Sequence, residues 1–369
     1  MLKSFIKKNL VTIIAFLAAT VTSILVPPDK EYINYFDFKT LSCLFATLAV
    51  VCALRNIRFF RIVAAKIVSV FKNIRSAIIA LVYITFIGSM LIANDMALIT
   101  FLPLGYYVLK STDNRDYMAF TFIMQNIAAN LGGMLTPFGN PQNLYLYTYY
   151  NISNGEFVKI MLLPFLIAIA LITICCMFVE KKPLVIKNCE EQKLDKNKTA
   201  IYIVLFALSI AMVFKSIPYY IGLAVVIAVL FFMDRGALKK VDYGLLFTFV
   251  FFFVFSGNMA RIPAVYSFLG WLIDKNTLLY GFLSCQAISN VPSAILLSKF
   301  TQNYQELLVA VNIGGAGTLI SSLASLITFK EFIKHERGMA MHYIKLFTVY
   351  NFGISLILLG IMTLIFKIL

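Results

Sequence analysis

The sequence predicts an all-α polytopic membrane protein built from inverted structural repeats, with two re-entrant helical hairpins and two broken transmembrane helices. Three observations predict it. Of the 369 residues, 61% are apolar and only 13% are charged, whereas soluble domains run nearer a quarter charged. The apolar residues fall in runs close to the ~20 residues a spanning helix needs. Finally, two runs are interrupted by polar tripeptides and two others by glycine-rich breaks, in the same order in both halves of the chain.

Apolar runs predict full crossings near 9–26, 38–54, 117–148, 157–179, 199–214, 217–233, 243–260, 303–329 and 342–366. The first could pass for a signal peptide, but it has no small-residue cleavage site and runs into Pro27-Pro28, so it reads as a retained helix. Residues 56–75 read as an interfacial amphipathic helix. Segments 76–109 and 277–300 are apolar but interrupted by Ala93-Asn94-Asp95 and Ser289-Asn290-Val291. An arm of ~16 residues rises about 24 Å as helix, which suits a hairpin whose polar tip stops inside the membrane. Irregular backbone is tolerated at that depth only under cover of protein or a watery cavity.

The net charge of +15 does not point to nucleic acid, because the lysines and arginines sit in short loops rather than on one basic face. With the N-terminus cytoplasmic, most of the 32 basic residues fall inside, and Lys30, Lys39, Lys159, Lys215, Arg261, Lys275, Lys299 and Lys367 fall outside. This bias predicts a cytoplasmic N-terminus in an inner (plasma) membrane and an external C-terminus. The predicted organisation is a first repeat over 1–179, a cytoplasmic loop and linking helix over 180–216, and a second repeat over 217–369. The linking helix supplies the odd crossing that inverts the second repeat. A direct trace of the repeat is Asn130-Leu-Gly132-Gly133-Met-Leu-Thr136 against Asn312-Ile-Gly314-Gly315-Ala-Gly-Thr318, preceded in each half by a hairpin asparagine, Asn94 or Asn290.

The run from Gly132 to Asn143 holds Gly132, Gly133, Pro137, Gly139 and Pro141. Gly and Pro disfavour a helix interior by about 1 and 3 kcal/mol each, so the helix opens. Opened carbonyls coordinate cations, and half-helix N-termini attract anions. A packing kink with small residues is the blander account of one such break; the matching break at 314–322 favours a binding role. Candidate solute- and ion-binding residues are therefore Asn94, Asp95, Gly133, Thr136, Gly139, Asn140 and Asn143 in one half. Ser289, Asn290, Gly315, Gly317, Thr318, Ser321 and Ser322 make up the other. Sodium could bind at Asn94, Asp95 and Asn140, and at Asn290 and Ser322. Asp95 is the one acid placed in the membrane interior, where acids are rare and functional; it could bind sodium, carry a proton or hydrogen-bond a solute. Arg261, after Ser256-Gly257-Asn258, reads either as an anion contact or as a snorkelling side chain. His335 and His342 read as residues of one charged loop. The six cysteines lack metal-ligand spacing.

Two hairpins with asparagine tips, each followed by a broken helix with Asn-x-Gly-Gly, the first also carrying Gly139-Asn140-Pro141-Gln142-Asn143, resemble the ion transporter superfamily. That group includes citrate carriers, divalent-anion/sodium symporters, arsenite permeases and one class of sodium/proton antiporters. The resemblance spans about 38–366. It implies two cation sites flanking a central solute site, alternating access, a proton or sodium as coupling ion, no other cofactor, and a homodimer. The dicarboxylate members typically carry Ser-Asn-Thr at both tips. Here Asp95 and Val291 stand in the threonine positions, and an ionised Asp95 would repel a carboxylate. The Asn-Asp tip is closer to the arsenite-permease pattern. A secondary transporter of a small anion or its neutral acid is thus the expectation, with a sodium/proton antiporter or a sodium-coupled dicarboxylate or citrate symporter as the nearest alternative. A channel would need a continuous polar pore. An intramembrane enzyme would need a motif such as His-Glu-x-x-His or Gly-x-Ser-x-Gly, and neither pattern occurs.

Overall fold

A computed structural model of the chain describes residues 10–68, 70–183 and 194–368. Lys3, Lys7, Lys8, Cys189 and most of the Lys- and Glu-rich loop at 180–198 lie outside the described residues. The described chain is helical, with no β-strand.

Helix α1 (Leu10–Leu25) stops before Pro27-Pro28, as the bias of a pre-proline residue away from helix requires. Helix α2 (Phe38–Asn56) starts on Asp37, whose carboxylate accepts from Thr40 N at 2.9 Å. The amphipathic stretch is the short helix α3 (Phe59–Val68). Helices α4 (Ile74–Ile92) and α5 (Asn94–Ser111) meet at Ala93 and pack on one another. Next come α6 (Met118–Gly132), the break, α7 (Pro141–Tyr149) and α8 (Asn154–Met177). Helix α9 (Lys196–Val213) is the linker, followed by α10 (Tyr219–Met233) and the short α11 (Arg235–Lys239).

The element order then recurs. Helix α12 (Tyr243–Arg261) starts on Asp242, whose carboxylate accepts from Leu245 N at 3.0 Å. Helices α14 (Thr277–Ile288) and α15 (Asn290–Leu297) meet at Ser289 and pack together. Helices α16 (Tyr304–Gly314) and α17 (Leu323–His335) flank the second break, and α18 (Ala340–Ile368) closes the chain. Between α12 and α14 lies a helix the sequence reading passed over, α13 (Pro263–Lys275). It occupies the place that α3 holds in the first half. Its signal was present: Pro263 at the first helical position and an Asn276 cap for the next helix, matching the Asn73 cap of α4.

Six of the described helices are long and apolar enough to cross a bilayer. The sorting of side chains agrees. Leu166, Val204, Phe232 and Leu364 face outward, while Gln125, Asn126, Asn130, Asn140, Asn143, Asn312 and Asn351 are buried. A water-soluble protein would not combine so much exposed apolar surface with so polar a centre. Cys43, Cys52, Cys176 and Cys285 are buried within helices.

The outer helices cross between the halves. Helix α1 packs on α12, and α10 packs on α2. Arg261 ties this arrangement down and is not a free anion contact. Its guanidinium forks onto both oxygens of Asp29 at 3.0 and 2.6 Å and donates to Tyr35 Oη at 3.0 Å. The two histidines are not in a loop either. His335 ends α17, where its ring stacks on Tyr106 of α5 at 3.6 Å and its Nε2 lies 3.0 Å from Glu331; His342 lies in α18. A ring stacked on a neighbouring helix extends the last turn of α17 beyond what charge density alone predicts.

Candidate functional site

The turns between α4 and α5 and between α14 and α15, expected as hairpin tips, use the same backbone device. Ala93 sits at φ 63°, ψ 150° and Ser289 at φ 74°, ψ 157°, a conformation that disfavours any side chain bearing a Cβ. In each case the following asparagine turns its Oδ1 back onto the next amide. Asn94 Oδ1 accepts from Asp95 N, and Asn290 Oδ1 accepts from Val291 N, both at 2.9 Å. The kink lets a second helix start one residue after the first ends, deep in the protein.

Each broken helix is anchored to its hairpin at equivalent points. Thr136 Oγ1 donates to Met90 O at 2.7 Å, and Thr318 Oγ1 donates to Gln286 O at 3.3 Å; Met90 and Gln286 stand at the same spacing before the tip asparagines. Gly132 closes on Phe86 and Ser89, and Gly314 closes on Phe282 and Cys285, again at matching spacing. A Cβ on Gly132 would lie 2.3 Å from Phe86 O, so only glycine permits that approach. The threonines singled out from the sequence therefore pin breaks to hairpins, their hydroxyl protons already committed.

The two halves meet through asparagines. Asn94 Nδ2 donates to Asn130 Oδ1 at 3.2 Å. Asn140 Nδ2 donates to Asn130 O at 3.1 Å and to Asn312 Oδ1, across the two halves, at 3.2 Å. Asn312 Nδ2 returns a bond to Asn143 Oδ1 at 2.6 Å. Asn143 Nδ2 also holds the open turn, within 3.3 Å of the carbonyls of Gly133, Met134 and Thr136. Gly315 lies beneath the Asn290 and Asn130 side chains: a Cβ there would fall 2.9 and 3.6 Å from their Nδ2 and Oδ1 atoms. Gly133 and Gly139 face each other across the first break, too close for a side chain on either.

The second half is held mostly by hydroxyls and backbone. Asn290 N and Ser289 Oγ both donate to Ser321 O, at 2.9 and 3.2 Å. Ser321 Oγ donates to Gly315 O at 3.0 Å and accepts from Gly317 N at 3.2 Å. Ser322 caps α17, accepting from Ser325 N at 3.2 Å. From there the polar chain runs on through Asn126, which donates to Ser325 Oγ and Asn351 Oδ1, each at 3.3 Å.

Four residues central to this network were not among the candidates read from the sequence: Asn126, Asn130, Asn312 and Gln286. The pattern Asn-x-Gly-Gly carried two of them, but as a repeat marker. Gln286 accepts from Thr318 N at 2.9 Å and donates to Gly314 O at 3.0 Å, shaping the second break from the preceding helix; Met90 holds its place in the first half. Asp95 is the candidate least joined to the rest. It is half-buried, and its buried Oδ1 makes no hydrogen bond with the described groups. Asn140 Oδ1, Gln142 Oε1 and Ser293 Oγ share that status. These buried oxygens keep bonding capacity for a solute or ion, whereas each tip Oδ1 already accepts from the next amide.

Comparison with known proteins gives this geometry its family. The chain is 34% identical over 302 residues to an uncharacterized transporter of Methanocaldococcus jannaschii, covering 81% of this chain and 82% of that one. It is 28% identical over 322 residues to the inner membrane protein YbiR of Escherichia coli, covering 82% of each. A shorter match, 29% identical over 154 residues, joins 41% of this chain to 31% of the silicon efflux transporter LSI3 of Oryza sativa. The YdaH transporter of Alcanivorax borkumensis, solved as a crystal structure with an unusual topology, shares the fold with a TM-score of 0.56 at 10% identity, over 96% of this chain and 97% of that one. The sequence profile of the citrate transporter family matches residues 2–306, and the chain is therefore an integral membrane transporter belonging to the citrate transporter family.

Proposed function

We propose that this transporter is a secondary active carrier of a small anion or its neutral acid, working by alternating access and driven by protons or sodium. The single observation that carries the reading is the convergence of both hairpins and both helix breaks on one buried asparagine cluster, joined across the halves by the Asn140–Asn312 bond. A site shared by two similarly built units can open first to one side and then to the other as the units rock. The equivalent tip backbones and the equivalent threonine and glycine anchors support reading 1–179 and 217–369 as inverted repeats with 180–216 between them. Charge bias supports an inner-membrane protein with its N-terminus cytoplasmic; a homodimer is part of the same proposal by family resemblance.

Within that site the oxygen donors Asn140 Oδ1, Gln142 Oε1 and Asp95 Oδ1 suit a hard cation such as sodium. Asp95 can equally serve as the proton carrier. A neutral oxyacid is the favoured solute over a dicarboxylate, because a carboxylate at the first tip and a valine at the second replace neutral hydrogen-bonding groups. The rice relative named for silicon efflux fits this preference, since silicon dissolved in neutral water is the uncharged oxyacid silicic acid. The family description favours citrate as the second reading. Flux of labelled arsenite, silicic acid and citrate into proteoliposomes, with imposed proton or sodium gradients, tests the proposal. Gradient-driven accumulation of one of them is expected. Flux that only equilibrates the solute, whatever the gradient, would leave a channel instead.

A further inference from the structure

Away from the asparagine cluster lies a hollow of about 200 Å³ lined by Arg55, Arg58, Phe60, Arg61, Ile99, Thr100 and Pro103. The end of α2, the turn into α3 and the first half of α5 build it. Arg55 and Arg61 bring two like charges to one small hollow, where they repel one another unless an anion sits between them. Among the described residues no carboxylate forms an ion pair with Arg55 or Arg61. Arg55 instead reaches Met96 Sδ at 3.6 Å, one residue from Asp95.

Apart from Thr100, whose hydroxyl donates to Met96 O, the remaining wall is apolar, from Phe60, Ile99 and Pro103. Val63 and Ile67 of α3 and Ile99 of α5 are exposed beside it, as on a helix lying in the headgroup layer. The hollow is smaller than the ~300–1,000 Å³ pockets that enclose drug-sized ligands, so it suits a compact group. Guanidiniums bind phosphate oxygens through paired N–H donors and keep their charge when partly desolvated.

We propose that this hollow is a binding site for a phosphate-class oxyanion, distinct from the solute site. One source is the headgroup phosphate of an anionic phospholipid; the other is a soluble oxyanion. Because Arg55 touches the hairpin beside Asp95, occupancy is positioned to bias the first tip. The inference stands whichever solute the carrier moves.

The test uses the full chain purified in detergent. Binding of dioctanoyl phosphatidylglycerol, dioctanoyl phosphatidylcholine and inorganic phosphate is measured by calorimetry and by thermal shift at constant ionic strength. Saturable binding of phosphatidylglycerol is expected, weakened about tenfold in R61Q and more in R55Q/R61Q. R61K, which keeps the charge without the fork, should fall between. Arg235→Gln, an exposed arginine resting on Phe231, should bind as wild type and shows that bulk charge is not the cause. Preference for phosphatidylglycerol over both other probes assigns the headgroup, and equal or tighter binding of inorganic phosphate assigns the soluble source; either supports the site. No saturable binding of any anion, or equal binding by wild type and R61Q, overturns it. Arg61 is exposed and lies in a short surface helix, so the single variant keeps the fold, checked by its unliganded melting temperature.

Discussion

Truncating Asn312 tests whether the two halves are joined where the hydrogen bonds place the joint. Asn312 is fully buried. Its amide donates to Asn143 Oδ1 at 2.6 Å, and its carbonyl accepts from Asn140 Nδ2 at 3.2 Å. In Asn312→Ala, Asn140 Nδ2 keeps its bond to Asn130 O, but Asn143 Oδ1 loses its partner. A buried acceptor left unsatisfied costs about 1–3 kcal/mol. The lost interhelical bond adds about 0.6 kcal/mol, the average found for such bonds in a bilayer. The expected loss is therefore about 2–4 kcal/mol, read from reversible unfolding in mixed micelles. Asn140→Ala leaves Asn312 Oδ1 only the longer bond from Gln142 Nε2 at 3.5 Å and should cost a similar amount. In the double variant the two changes share one bond, so they should fall short of additivity by about 0.6–1.7 kcal/mol. Flux should fall in both single variants. Additive losses, within about 0.3 kcal/mol, would show that Asn140 and Asn312 are not coupled and would remove the basis for a shared site.

Four further outcomes are expected. Asp95→Asn keeps size and removes titration, so it should abolish gradient-driven accumulation while leaving folding intact; wild-type accumulation with unchanged pH dependence would leave coupling to the amides and carbonyls around Asn140 and Ser322. Ala93→Gly should raise stability by up to about 1 kcal/mol, because glycine accepts the positive φ; Ser289→Gly should gain less, since it gives up the bond to Ser321 O, and a loss of melting temperature in Ala93→Gly would refute the strained tip. Gly132→Ala places a Cβ 2.3 Å from Phe86 O, and should destabilise by more than the ~1–3 kcal/mol typical of overpacking, seen as loss of folded protein in detergent. Arg261 beside Asp29 holds the Asp29 carboxyl below the usual carboxylate range, against the opposing effect of burial. The stabilisation from that pair is present above the unfolded value of about 3.9 and is lost as pH falls through the lower folded value. Melting temperature should therefore drop more steeply in acid for wild type than for Asp29→Asn, and identical acid slopes would sink the assignment.

Much of this protein was written in local sequence. Helix positions follow from apolar runs, because a bilayer leaves backbone no other way to satisfy its hydrogen bonds. The breaks at Gly132–Pro141 and Gly314–Ser322 follow from glycine and proline, whose cost is paid by the residue itself. The tips follow from Asn94 and Asn290, polar residues with no local reason to interrupt an apolar run. Helix α13 was missed because thirteen residues of mixed polarity between a crossing and a hairpin resemble a loop until a surface is given for them to lie on. What sequence could not decide is partnership. That α1 lies on α12 and α10 on α2 depends on surfaces that are equally apolar along their length. Thr136 and Thr318 were legible as polar groups in the membrane, but their commitment to Met90 and Gln286 carbonyls is set by which hairpin each break meets. Asn130 and Asn312 were legible as a motif, yet only the packed structure turns them from helix residues into the bond between two halves. Local sequence marks most of the helices and both openings; packing settles which buried amides face each other, because a hydrogen-bonding direction is fixed by the neighbour across the gap and not by the chain that carries it.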